Sequence, residues 1–261
     1  MDICETATFK TGEYDRHPWE LARLKVVVSF LQPLISKQPN ARILDLGCGD
    51  VFVAESLSNT FTQTTFSCVD TAFTEEYIQH IEKRVDKQRI QLFSSLNDVS
   101  EIVENTVDIV LLLDVIEHIE DEIEFLNKLR HSGIINEHTK IVITVPAYQS
   151  LFSNHDVYLN HFRRYDTKLL AERIGKAGYA VETTGYFFFS LFLIRKVQKW
   201  LQKEGEIDNE KGIGAYTSKG WMDSMVKKIL YLDFVIGKAL RKTGIRLPGL
   251  SCFGICRIQQ S

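Results

Sequence analysis

From Ala41 onward the spacing of hydrophobic residues alternates between two periods. ARILDLG (41–47) is a short apolar run ending in glycine, which predicts a buried strand. A helix near 50–58 and a second strand, TTFSCVD (64–70), follow. In TEEYIQHIEKRV (74–85), Tyr77, Ile78, Ile81 and Val85 recur at helical spacing, and RIQLF (89–93) reads as a third strand. VDIVLLLD (107–114) predicts the strongest strand of the chain, with a helix after it to about residue 132. KIVITVPA (140–147) predicts another strand, ended by Pro146. Strands alternating with helices imply a parallel sheet covered on both faces. The expected class is α/β, a doubly wound, Rossmann-like mixed sheet of about seven strands, and ligands of such folds bind beyond the carboxyl ends of the strands.

The flanks are less regular. Residues 19–36 predict a leading helix, TKLLAERIGKAG (167–178) a helix closed by Gly178, and YAVETTGYF (179–187) a return to the sheet. A second helical region is expected over about 190–245, and LSCFGICRI (250–258) reads as a final strand.

Composition narrows the function classes. With 261 residues, 44% hydrophobic and 25% charged, the chain buries a sizeable core and is neither disordered nor fibrous. Its five cysteines include no C-x-x-C pair, so buried reduced thiols and a cytoplasmic location are expected. The first twenty residues are charged and lack an apolar stretch, unlike a signal peptide. The most apolar run, FFFSLFLI (187–194), is far shorter than the roughly 20 residues that span a bilayer.

The net charge of −3 does not support a nucleic-acid binder, yet it is a cancellation. Between Arg195 and Arg246 there are 12 Lys+Arg against 6 Asp+Glu, which leaves 19 against 28 elsewhere. Leu193, Val197, Trp200 and Leu201 share one helical face in this basic region. Two readings stay open: helices packed on the sheet or on each other, or a surface over 190–246 that rests on anionic lipid or admits a lipid-linked acceptor.

The chemistry concentrates in I-L-D-L-G-C-G-D-V (43–51), where a strand turns into a helix. Gly47 and Gly49 let the backbone turn tightly and approach a ligand closely. Asp70, twenty-one residues after Gly49, ends the second strand, where a carboxylate can accept both hydroxyls of a ribose. A dinucleotide would need G-x-G-x-x-G, but the third glycine position is Phe52, and Asp50 puts negative charge where phosphates would lie. S-adenosylmethionine has the ribose, no phosphate and a sulfonium cation, which suits an acidic loop. A glycine turn without a ligand would not explain why Asp45, Gly47, Gly49 and Asp70 agree in spacing.

D-L-G-C-G followed by an acidic residue at the end of the next strand resembles the class I S-adenosylmethionine-dependent methyltransferases, and VDIVLLLDVIEHIED is similar to their fourth motif. The resemblance covers roughly 41–186. It implies a cofactor site of Asp45, Gly47, Cys48, Gly49, Asp70, Thr71, Ser95, Leu96, Asp114 and Val115, with S-adenosylhomocysteine as product. The family's usual third loop glycine is Val51 here, and a β-branched residue resists positive φ, so the loop is expected to differ slightly or never need it.

Asp114-x-x-Glu117 has the spacing of a capping box for the following helix. His118 in its first turn would be held neutral by the helix dipole, as a general base requires. VPAYQSLFSNHDVYLNHFRRYD (145–166) resembles a segment of bacterial methyltransferases with saccharide, lipid-linked and quinone-type acceptors, and would overhang the methyl group. It nominates His155 and His161 as further proton acceptors, and Tyr148, Arg163, Arg164 and Tyr165 as acceptor contacts, an arginine binding an anionic group. A polar lid bonded within itself is the alternative. No metal site is expected, because His155, Asp156 and His161 show no defined ligand spacing and methyl transfer needs no Lewis acid.

The chain then reads as one methyltransferase domain: a helical lead (1–40), a cofactor-binding core (41–187), a basic helical insertion (188–249) and a final strand (250–261). The expected reaction is O-methylation of a small-molecule, saccharide or lipid-linked acceptor. A catalytically inactive S-adenosylmethionine-binding protein and an NAD-dependent oxidoreductase are the alternatives.

Overall fold

The computed structural model describes residues 16–102, 106–201 and 220–260. Cys4, the N-terminal segment to Asp15 and the basic residues Lys203, Lys211 and Lys219 lie outside them.

Seven strands form one sheet in the order β3-β2-β1-β4-β5-β7-β6. Strands β1 (Arg42–Leu46), β2 (Thr65–Val69), β3 (Ile90–Phe93), β4 (Ile109–Leu113) and β5 (Lys140–Pro146) run parallel. β7 (Ser251–Ile258) inserts antiparallel between β5 and the edge strand β6 (Tyr179–Phe187). All five residues of β4 are buried, as expected for a central strand covered on both faces. The chain reverses its winding direction between β1 and β4, the position where such folds open a ligand crevice.

The helices divide between the two faces. α1 (Pro18–Ile35), α2 (Phe52–Thr60), α3 (Glu75–Glu82) and the long α9 (Trp221–Lys242) enclose a core containing Val26, Phe30, Ile43, Leu57, Ile81 and Phe253. The other face packs Leu44, Val110, Leu112, Leu126, Ile143 and Ile174 under α4 (Leu96–Ile102), α5 (Glu122–Arg130) and α7 (Thr167–Lys176). α9 lies along α1, where Phe30 meets Phe234 edge-on at 5.8 Å and Lys238 donates to Ser29 Oγ at 2.7 Å. α8 (Phe189–Leu201) joins it through Ser190, whose N–H and hydroxyl both donate to Asp233 Oδ2 at 2.8 Å. Among the described residues no helix is long and apolar enough to cross a membrane.

The helix expected directly after β4 is two pieces. Ile116–His118 form a 3-10 turn, and α5 starts only at Glu122. Its N-cap is Asp121, whose carboxylate accepts from the Glu124 N–H at 2.9 Å. Asp114 therefore does not cap α5, and Glu117 and His118 are projected from a tight turn instead of a regular helix.

Candidate active site

The glycine loop is fixed by backbone geometry. Gly47 and Gly49 hold φ +69° and +58°, in the left-handed region where a Cβ is strained. A Cβ on Gly47 would also stand 2.7 Å from Val115 Cγ2, so the loop after β1 and the loop after β4 touch only because no side chain intervenes. Gly49 N–H donates to Asp70 Oδ2 and Ala72 N–H to Oδ1, both at 2.9 Å, which aims the carboxylate across the loop. Each oxygen keeps a lone pair for a hydroxyl.

Val51 does adopt the left-handed conformation, at φ +66°, as the N-cap of α2. The expected departure from the family's loop geometry is thus absent. Its side chain is completely buried, and that burial offsets a conformational cost of about 1–3 kcal/mol. Asp50 also differs from expectation. It is buried, ion-paired with Arg16, and its carbonyl accepts from Arg84 Nη2 at 2.5 Å. Its charge is neutralised by the fold and does not by itself repel a phosphate.

Asp45, in β1, is buried, and its Oδ2 has no hydrogen-bond partner among the described residues. Burial pushes its carboxyl up to about 7, against the opposing pull of Arg23. A cationic ligand beside it would favour the ionised form. Arg23 is a contribution of α1 that no motif announced. It pairs with Asp114 Oδ2 at 2.8 Å and donates to Thr144 Oγ1 at 3.3 Å, while Thr144 donates to Asp114 Oδ1 at 3.1 Å. In the sequence it is marked only as one of two basic residues, with Lys25, in a largely apolar helix.

Thr71 lies just beyond β2, and Ser95 and Leu96 just beyond β3. There Ser95 Oγ accepts from the Asp98 N–H at 3.3 Å. Asp45, Gly47, Cys48, Gly49, Asp70, Thr71, Ser95, Leu96, Asp114 and Val115 thus gather at one end of the four adjacent strands β3-β2-β1-β4. The unpartnered buried carboxylate oxygen, the glycine cradle and the aimed Asp70 fit a ligand that carries both a ribose and a positive charge.

The segment after β5 is a lid bonded within itself. Asp156, on α6 (Asn154–Tyr158), is fully buried. It receives Arg164 Nε at 2.7 Å and Nη2 at 2.9 Å, His161 Nδ1 at 2.9 Å, and the Ser153 N–H and hydroxyl at 2.9 and 3.1 Å. Burial alone would raise its carboxyl, but these donors hold it well below the usual carboxylate range. Arg163 pairs with buried Glu122 at 2.5 Å and donates to the carbonyls of Ile119 and Glu120 at 2.8 and 2.6 Å. Both arginines are engaged inside the protein, so in this conformation neither is presented to an anionic acceptor. Tyr165 is likewise fully buried, its backbone joined to Pro146 and Tyr148. Tyr148 is half-buried, stacked on Tyr186 at 5.0 Å and beside Phe192 at 5.1 Å.

Two of the three expected histidines meet. The rings of His118 and His161 lie edge to face at 4.6 Å, and Glu117 lies with them, fully buried. Burial drives the Glu117 carboxyl well above its ordinary value. His155, on α6, stands outside this group.

A methyltransferase-domain family model matches residues 19–205. No curated protein sequence matches significantly. The plantazolicin methyltransferase BamL, solved with a triazolic desmethylPZN analogue and SAH, is similar in fold at TM-score 0.56 and 15% identity, over 93% of this chain and 86% of that one. Coclaurine N-methyltransferase bound to N-methylheliamine and SAH gives 0.55 and 14%, over 95% and 73%. A SAM-dependent methyltransferase from Archaeoglobus fulgidus gives 0.50 and 17%, over 90% and 94%. With the family model spanning most of the chain and the glycine loop, Asp70 and strand order all in place, this chain belongs to the class I S-adenosylmethionine-dependent methyltransferases.

Proposed function

We propose that this chain methylates a hydroxyl oxygen of a small-molecule, saccharide or lipid-linked acceptor. The observation that carries the reading is the His118–His161 pair, in which His118 sits on the turn that follows Asp114 and Val115, beside the glycine loop, and His161 comes from the lid. When bound, S-adenosylmethionine supplies a methyl group on a cationic sulfur. Asp70 holds the ribose hydroxyls, Asp45 balances the positive charge, and Thr71, Ser95 and Leu96 border the nucleoside. Asp156 accepts from His161 Nδ1, which leaves the lone pair on Nε2, the form that takes a proton from an acceptor hydroxyl. Alignment of that oxygen and exclusion of water by the lid supply most of the rate. The small molecules bound in BamL and in coclaurine N-methyltransferase are consistent with an acceptor of that size, although the latter enzyme is an N-methyltransferase.

The test is transfer of labelled methyl from S-adenosylmethionine into fractionated small molecules and lipids of the source cell. Label is expected in an ether or methoxy product. Label on nitrogen would replace the O-methylation reading, and binding of S-adenosylhomocysteine with no transfer to any fraction would favour an inactive binding protein.

A lipid-linked acceptor is supported by a separate observation. Along α8 and α9, Ile194, Val197, Trp200, Trp221, Met225 and Ile229 are exposed, Trp200 to 83% and Trp221 to 74%, with Arg195, Lys196 and Lys199 on α8. Apolar side chains flanked by cations form the surface that settles at an anionic membrane interface. The protein is expected to float with vesicles containing anionic lipid at low salt and to be released by replacement of both tryptophans with serine. Absence of flotation at low salt removes the membrane contact.

A further inference from the structure

We propose that Glu117, His118 and His161 bind a divalent transition-metal cation, and that this cation holds the acceptor's hydroxyl oxygen. One ligand atom from each residue lies within 4.8 Å of the others, close enough for a single ion to draw them together. Two features separate this cluster from a chance meeting of polar residues. Glu117 is fully buried, and neither of its carboxylate oxygens has a hydrogen-bonding partner in another described residue. A buried carboxylate without donors is costly unless a cation completes it.

The second feature is the support behind His161. Its Nδ1 is bound by Asp156 at 2.9 Å, and Asp156 is locked in turn by the bidentate Arg164. That carboxylate–histidine arrangement fixes the ring and directs Nε2 outward, as behind the imidazole ligands of metal sites.

Two imidazoles and one carboxylate, with no sulfur, suit Mn²⁺, Fe²⁺, Co²⁺ or Zn²⁺ better than Mg²⁺ or Ca²⁺. Three protein ligands leave coordination positions open, and the two histidines are only partly buried, so ion and acceptor can enter from solvent. The role of the cation rests on the proposed methyl transfer to oxygen. The acceptor hydroxyl binds an open position, and its O–H bond breaks with the proton passing to water. The oxygen lone pair then forms the O–CH₃ bond as the C–S bond breaks, leaving its electron pair on sulfur. In that state the two imidazoles act as ligands, and neither takes the proton.

The experiment uses the full chain, stripped of metal. Cobalt(II) titration is followed by visible absorption, Mn²⁺ binding by equilibrium dialysis, and S-adenosylhomocysteine binding by calorimetry on the same samples. One Co²⁺ per chain is expected, with d–d bands that appear on binding. Glu117→Gln, His118→Ala and His161→Ala should each weaken cobalt binding by more than about tenfold, at least the loss typical of disturbed metal sites. The exposed control His138→Ala should not. Glu117→Gln is nearly isosteric, and its melting curve and S-adenosylhomocysteine affinity separate ligand loss from misfolding. No stoichiometric cobalt or manganese binding at millimolar concentration overturns the proposal, as does equal binding in all three variants. If S-adenosylhomocysteine still binds in that case, the methyltransferase reading stands and His161 keeps the role of base. Cobalt bound at these residues by a protein that transfers methyl only to nitrogen keeps the site and overturns its part in oxygen activation.

Discussion

Asp70→Ala should weaken S-adenosylhomocysteine binding about 100-fold in calorimetry. Two hydrogen bonds from ribose hydroxyls to a carboxylate contribute about 1.5–3 kcal/mol each when intact, and roughly 3 kcal/mol of net loss corresponds to about 100-fold. The substitution also removes the acceptor for the Gly49 and Ala72 N–H groups, so the loop that cradles the ligand is released along with the direct contact. Asp70→Asn keeps one acceptor oxygen and should lose about tenfold, within the strength of one such bond. Asp70 is half-buried and outside both hydrophobic clusters, so melting temperature should barely move. Unchanged affinity in the alanine variant would show that Asp70 does not hold the ribose.

Arg164→Ala is expected to lower the melting temperature by roughly 10 °C. Removing one member of a buried ion pair costs about 3–5 kcal/mol, and each kcal/mol is worth about 2–4 °C in a chain of this size. Asp156 would keep only the Ser153 donors and His161 while remaining fully buried. Lysine at 164 should recover only part of the loss, because it offers no planar fork for the two carboxylate oxygens. Arg163→Ala should cost clearly less, since Glu122 retains Arg173 at 3.4 Å and Arg163 is more exposed. A drop below about 2 °C for Arg164→Ala, less than one kcal/mol, would mean that this pair does not hold the lid.

The parallel strands were legible because central strands buried on both faces read as unbroken apolar runs, and Gly47 and Pro146 punctuate two of them. α4 and α6 were not, since seven and five residues span too few turns to establish a helical period. The turn at Ile116–His118 was mistaken for the start of a helix because Asp114-x-x-Glu117 and Asp121-x-x-Glu124 both carry capping spacing. What decides between them is that Asp114 is drawn to Arg23 and Thr144, leaving Asp121 to cap α5.

The proposed cofactor end of the site was legible in the sequence alone. It depends on backbone freedom at Gly47 and Gly49 and on an acid placed where the next strand ends, both of which are local properties of the chain. The contacts of the lid, where an acceptor is proposed to sit, were decided only by the tertiary structure. Arg163 and Arg164 look like anion binders in a string of residues, but burial pairs them with Glu122 and Asp156. His155 and His161 are equally close in sequence to the lid's other polar residues, yet it is His161 whose ring meets His118 and lies with Glu117, more than forty residues upstream. A charge or an imidazole has one identity in sequence and several prospective partners. Which partner it meets depends on where the sheet brings distant loops together and on how much water is left between them.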